Sequence, residues 1–236
     1  MNLLLFDPGE WEKPLPPNDP RSVHIVNILK TSPGERLAAG VVGGLKGTIV
    51  FRGKDQDGLQ FDDPRFTEVP PPPFKLTFLM GTPRPPTAQR LLRDLTTLGA
   101  QRLIFTATQL GEKSYLTSKL WREDWRKAVL EGAMQAKATY LPQVDRYMSL
   151  KQALANLSTE SGLKLAFDGN GDFPPTSYPA QPLFLALGPE RGWTDQECQL
   201  FFDAGWQILT LGKRILRTET ACTAAAIAIL NRQGLW

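Results

Sequence analysis

The sequence predicts an α/β protein: a C-terminal domain with a mostly parallel sheet covered by helices, preceded by a small β-rich domain. Three observations lead there. Four consecutive prolines, Pro70 to Pro73, can continue neither a helix nor a central strand and act as a stiff spacer. Before them, short β-type segments are separated by turn signals; after them, strand-like and helix-like segments alternate. The expected division is therefore a β-rich domain over residues 1–70 and an α/β domain over residues 74–236.

In the first part, Leu3–Phe6, Leu37–Val42, Gly47–Phe51 and Gly58–Phe61 read as strands, with turns at Gly43-Gly44 and Lys54–Gly58. A short helix is expected over Ser22–Leu29, where Ile25, Ile28 and Leu29 share one side at helical spacing. In the second part, Lys75–Leu79 is a strand, Pro85–Leu98 a helix with apolar positions 88, 91, 92, 95 and 98, and Arg102–Thr106 a strand. A longer helix is expected from about Ser118 to Lys137, and Ser149–Leu157 opens with a Ser-x-x-Gln capping box. Leu163–Phe167 and Leu183–Leu187 are buried-type strands. Thr194-Asp-Gln-Glu197 is a second capping box, opening a helix that carries Cys198, Phe201 and Phe202. Gln207–Leu211 is the last strand and Thr218–Asn231 the last helix.

The bulk numbers exclude several classes of function. No apolar run reaches the roughly 18 residues needed to span a bilayer. The start, Met-Asn-Leu-Leu-Leu-Phe-Asp-Pro, lacks the basic segment of a secretory signal, so a cytoplasmic protein is expected. The two cysteines, Cys198 and Cys222, stand far apart without metal spacing and read as buried thiols; no metal site is expected. With His24 as the single histidine, neither a histidine-rich zinc site nor a triad beside a second working histidine is easily built. Beside apolar neighbours, His24 itself reads as structural rather than as an RNA contact. Residues 1–73 carry 8 Lys/Arg against 10 Asp/Glu, and residues 74–236 carry 19 against 14, so a polyanionic partner would meet the C-terminal part.

In an α/β sheet, ligands sit outside the carboxyl ends of the strands. Two loops stand out there. The first runs from the apolar strand through Leu187-Gly188-Pro189-Glu190-Arg191-Gly192-Trp193, with glycines that let a ligand approach the main chain or that serve an ordinary tight strand-to-helix turn. The second is Leu211-Gly212-Lys213-Arg214-Ile215-Leu216-Arg217-Thr218-Glu219-Thr220-Ala221. Thr218 as N-cap and Glu219 in the first turn suit a helix start. Lys213, Arg214 and Arg217 do not, because the helix dipole disfavours cations at that end; something negative is expected to face them. Neither a G-x-G-x-x-G after a strand nor a P-loop occurs, which argues against a dinucleotide enzyme or an ATPase.

Taken together, the two loops resemble the motif pair of the ribosomal RNA small subunit methyltransferase E family, in the SPOUT superfamily. Further likeness lies in Leu98-Gly99-Ala100, in Glu131-Gly132-Ala133-Met134-Gln135 with Pro142, and in His24-Ile-Val-Asn-Ile-Leu-Lys30. The resemblance implies an S-adenosylmethionine-dependent enzyme that methylates N3 of a uridine in 16S ribosomal RNA. It implies a SPOUT α/β trefoil knot in the C-terminal domain, a PUA-like RNA-binding N-terminal domain, and a homodimer formed through the C-terminal domain. The partner is then ribosomal RNA or the small ribosomal subunit. By position, Leu187, Gly188, Glu190, Gly192, Leu211, Gly212, Leu216 and Thr218 would hold the cofactor, and Arg217 and Glu219 would be catalytic. Lys30, Arg191 and Arg214 would meet RNA. The chain departs from the family at Ala138 and Tyr140, which stand at arginine positions, at Lys30, which replaces an arginine, and at Arg191, where glycine is usual. Two other readings accompany the leading one: a SPOUT enzyme for another ribosomal or transfer RNA nucleotide, and a non-catalytic RNA-binding or ribosome-assembly protein of the same fold.

Overall fold

A computed structural model of the chain describes residues 2–236. They form two compact units: residues up to Pro72 together with Leu130–Leu141, and Pro73–Val129 together with Pro142–Trp236.

The first unit holds a four-stranded sheet of β1 (Leu4–Phe6), β2 (Arg36–Val41), β3 (Lys46–Lys54) and β4 (Leu59–Glu68), in that spatial order. Strand β1 runs parallel to β2; the other pairs are antiparallel. Alternation along β1 sends Leu4 and Phe6 into a core with Ile25, Ile49, Phe51 and Leu59, while Leu3 and Leu5 pack on Ala133 and Met134. Helix α1 (Pro20–Val23) starts where proline is tolerated and Asp19 accepts the Arg21 N–H.

The expected helix over 22–29 is only partly one. After α1 the chain winds through His24–Leu29 as a π-helix and ends at Lys30 in the left-handed region, φ 52°. The wider i→i+5 winding turns Ile28 and Leu29 out to solvent and leaves Ile25 as the buried apolar residue of the segment. His24 is half-buried, and its Nε2 has no partner among the described residues.

The second unit is a six-stranded, wholly parallel sheet. Its strands are β5 (Phe74–Gly81), β6 (Ala100–Thr106), β7 (Gln143–Tyr147), β8 (Leu163–Asp172), β9 (Leu183–Leu187) and β10 (Gln207–Leu209), in the spatial order β10-β8-β9-β5-β6-β7. Both faces are covered, as a parallel sheet requires. Leu76, Phe78, Phe105, Leu165 and Leu185 face helices α2 (Pro85–Thr97) and α6 (Thr218–Arg232), which contribute Leu91, Leu92, Leu95, Ala225 and Ile229. Leu79, Ile104, Ala166 and Ala186 face α4 (Leu150–Leu157) and α5 (Asp195–Asp203), which contribute Leu150, Leu154, Leu157 and Phe201. Each such fully buried Leu or Phe stabilises the fold by roughly 1.5–3 kcal/mol. The alanines of α6 let it approach both α2 and β9 closely.

Several boundaries differ from expectation. Strand β7 carries no apolar run, and it forms because the edge of β6 is free to pair. Strand β8 continues to Asp172 and bulges against β10, which stops at Leu209 instead of Leu211. The helix expected from Ser118 begins as a π turn, Leu120–Asp124, before α3 (Trp125–Ala136). Phe202 is exposed, because α5 turns Phe201 inward. Cys222 is fully buried and burial pushes its thiol pKa up; Cys198 is only half-buried, and desolvation and then Asp168 raise its pKa to about 11. Among the described residues, no helix is long and apolar enough to cross a membrane.

Candidate functional site

Strands β10, β8 and β9 lie side by side, so their carboxyl ends open onto one place. The loops that leave them enclose a cavity of about 270 Å³. The start of α6 closes one side, with Thr218 and Ala221 in the lining.

The loop after β9 is held from many directions. A Cβ on Gly188 would stand 2.8 Å from the main chain of Gly192, so only glycine fits there. The turn closes with the Gly192 N–H donating to the Pro189 carbonyl at 2.9 Å, and Gly192 itself has φ 70°. Pro189 presses on Gly81 at the end of β5, where an added Cβ would lie 2.4 Å from its Cδ. Glu190 accepts the Arg84 N–H at 3.3 Å, with the guanidinium 3.9 Å away. Beyond it, Trp193 is buried edge-on against Phe201, with ring centroids 4.9 Å apart. Thr194 and Glu197 form the expected capping box of α5.

The loop after β10 is held mainly at its base. Gly212, φ 125°, donates its N–H to Thr210 Oγ1 at 3.2 Å. Lys213, Arg214, Ile215, Leu216 and Arg217 are all exposed, and none forms an ion pair among the described residues. The cap of α6 lies one residue earlier than expected. Arg217, in extended conformation, is the N-cap and offers no side-chain cap, while Thr218 is the first helical residue and is buried. Glu219, in the first turn, accepts from Arg90 Nη2 of α2 at 3.1 Å. Its ionic partner is therefore Arg90, whereas Arg217 points its charge at solvent.

All eight residues singled out for cofactor contact, Leu187, Gly188, Glu190, Gly192, Leu211, Gly212, Leu216 and Thr218, line this cavity. Arg214 lines it as well; Arg191, Arg217 and Glu219 flank it in sequence without lining it. Lys30 lies in the first unit and is exposed. Lys213 and Ile215 of the second loop line the cavity too, and it has further walls that the two loops did not reveal: Phe167, Asp168 and Gly169 at the end of the expected strand, and Thr210 at the base of the basic segment. The rule that pointed to the ends of β9 and β10 applies equally to Asp168-Gly169, two small or acidic residues after an apolar strand.

Comparison with known proteins agrees with this geometry. Residues 70–230 match the model of a family described as an RNA methyltransferase domain. The chain is 33% identical over 235 residues to ribosomal RNA small subunit methyltransferase E 1 of Borreliella burgdorferi, covering 98% of each. It is 32% identical over 254 residues to ribosomal RNA small subunit methyltransferase E of Treponema pallidum, covering 100% of this chain and 93% of that one. Its fold is that of a crystal structure of the Neisseria gonorrhoeae enzyme of the same name bound to S-adenosyl methionine, with TM-score 0.72 and 24% identity over 100% of this chain and 98% of that one. The two loops, the matched domain and the full-length relatives lead to one statement: the chain belongs to the ribosomal RNA small subunit methyltransferase E family of RNA methyltransferases.

Proposed function

We propose that the chain is a cytoplasmic, S-adenosylmethionine-dependent enzyme that methylates N3 of a uridine in the 16S RNA of the small ribosomal subunit. The observation that carries this reading is the convergence of both glycine loops on one cavity at the carboxyl end of a parallel sheet.

The residues present fit the cofactor. Gly192 and Gly212 line the cavity, and a Cβ on either would meet nothing within 4 Å, so side chains there would occupy the space a ligand needs. Leu187, Leu211, Leu216 and Phe167 supply apolar walls, while Asp168 and Glu190 stand opposite in charge to Lys213 and Arg214. Such a lining suits a molecule with an apolar ring, a cationic centre and a zwitterionic tail. When bound, S-adenosylmethionine supplies an electrophilic methyl group. The protein's part is to align the acceptor with it, which by itself removes a large share of the barrier. Uridine N3 loses its proton on reaction, and negative charge spreads to the flanking carbonyls. Arg217, a cation without an ion pair among the described residues, stands between the cavity-lining Leu216 and Thr218 and is the group assigned to that charge. Glu219, held by Arg90, is the carboxylate assigned to the proton.

The family likeness further supports a trefoil knot in the C-terminal domain, a PUA-like RNA-binding role for residues 1–70 with Lys30 touching RNA, Arg191 and Arg214 as further RNA contacts, and dimerisation through the C-terminal domain over residues 74–236. Calorimetric titration with S-adenosylmethionine, followed by mass mapping of 16S RNA from a strain lacking the protein before and after treatment with the purified protein, tests the whole reading. One uridine should gain one methyl group. Binding without transfer would leave a non-catalytic RNA-binding protein, and a gain at another nucleotide would reassign the target.

A further inference from the structure

A second cavity, about 420 Å³, lies at the carboxyl ends of β6 and β7 and shares no lining residue with the first. Its size falls in the usual range for small-molecule sites. It belongs to the same sheet edge, and Gly81 joins the two: a Cβ there would meet Pro189 of the first cavity at 2.4 Å and Thr108 of the second at 2.8 Å.

Its polar groups are unevenly satisfied. Every carboxylate and amide acceptor in the lining is engaged. Glu197, 2% exposed, takes the Gln109 N–H on Oε1 at 2.8 Å and the Thr194 N–H on Oε2 at 2.9 Å. The Gln109 amide oxygen accepts from Thr194 Oγ1 at 2.9 Å. The donors, in contrast, are in excess. Lys113 and Lys151 line the cavity, are exposed, and form no ion pair among the described residues. Helix α4, eight residues long, opens into the cavity at Ser149, Leu150 and Lys151; Ser149 Oγ accepts the Gln152 N–H at 3.3 Å, which leaves the N–H groups of Leu150 and Lys151 as those without a partner inside the helix. Thr108 lines the cavity at 7% exposure, and its buried Oγ1 has no partner among the described residues. Buried hydroxyls are seldom left so. Met148, Leu150 and Leu200 add an apolar wall.

A pocket with spare donors, two free cations, a helix N-terminus and satisfied acceptors calls for an anionic ligand rich in acceptors. We infer that this second cavity receives a backbone phosphate of the RNA strand, with its attached nucleoside on the apolar wall, beside the nucleotide being methylated. The inference rests on the methyltransferase reading for the identity of the polyanion, and on the cavity itself for the phosphate. It assigns Lys113, Lys151 and Thr108 to RNA grip rather than to the cofactor.

The test is the salt dependence of binding of a 16S RNA fragment carrying the target site, read by fluorescence anisotropy. For Lys113→Ala/Lys151→Ala, the plot of log affinity against log salt should become shallower by about 0.7 for each phosphate of single-stranded RNA that is no longer neutralised. Lys113→Arg/Lys151→Arg should keep the wild-type slope, and calorimetric affinity for S-adenosylmethionine should not change in either variant. Thr108→Val should weaken RNA binding a few-fold without lowering the melting temperature. Wild-type slope and affinity in the alanine pair, with the wild-type protein still methylating the fragment, would overturn the inference and leave the enzymatic reading intact. A shallower slope in a protein that transfers no methyl group would do the reverse. Inorganic phosphate that shifts the Thr108 and Lys151 amide resonances while the RNA slope stays unaltered would make a free anion the ligand, and so overturn the RNA assignment.

Discussion

The loops after β9 and β10 wall the same cavity, yet they are built in opposite ways. The β9 loop is fastened by Pro189 against Gly81, by Glu190 to Arg84, by Trp193 on Phe201 and by the capping box of α5. The β10 loop has its fastening at Thr210 and Gly212, then five exposed residues in succession, Ile215 among them with its whole side chain in solvent. One loop takes its shape from the protein's own packing. The other carries charge and apolar surface that no described residue satisfies. A division follows between a wall that sets the pocket and a flap to which the chemistry is proposed to belong.

The sharpest way to break that division is Arg217→Ala, in the exposed loop. It should lower turnover about 100-fold, the usual loss for one donor aimed at developing charge. Its melting temperature should match wild type, since exposed substitutions stay within about 0.5 kcal/mol. Unchanged turnover would remove Arg217 from the reaction. Gly188→Ala, in the fastened loop, should do the opposite. The Cβ 2.8 Å from Gly192 forces the turn open, costing about 1–3 kcal/mol of stability in denaturant unfolding and weakening cofactor binding together. If stability were kept, the β9 loop would not be the rigid member. Arg90→Ala removes the tie between α2 and Glu219, a pair with 40% and 20% exposed side chains. Such a pair contributes at most about 1 kcal/mol to folding. A drop in turnover larger than the drop in stability, with KM for the methyl donor unmoved, would separate positioning from bracing; Arg90→Lys should restore part of it. Ile215→Ser should be the quietest of all, within about 0.5 kcal/mol by thermal melting without ligand.

Legibility in the sequence followed burial. Strand β9 reads directly because both its faces are covered and all five residues are apolar, and α5 reads directly from its capping box. The spacing of Ala88, Leu91, Leu92 and Leu95 marks α2 for the same reason. Strand β7, Gln-Val-Asp-Arg-Tyr, is an edge strand held by main-chain pairing to β6, and its composition carries no trace of that partner. The π winding of His24–Leu29 is equally silent, since its apolar residues mimic an amphipathic helix while most of them face water. At the cavity, glycines marked the two loops because close main-chain packing and positive φ demand them. Asp168-Gly169 follows the end of an apolar strand and is open to the same strand-end rule, whereas Thr210 carries no such mark; it arrives through the extension and bulge of β8 against β10, which depends on tertiary pairing.

The strand order has a consequence for how the chain must be made. Strand β5 pairs on one side with β6, which follows it closely, and on the other with β9, more than 100 residues further on. Until β9 emerges from the ribosome and inserts, Leu76, Phe78 and Met80 sit on a strand with one naked edge, the kind of surface that invites pairing with a neighbouring chain. Closure over so long a separation is slow. An arrested nascent chain ending before Leu183 should therefore lean on chaperones, and the pocket cannot exist before β9 and β10 have been made.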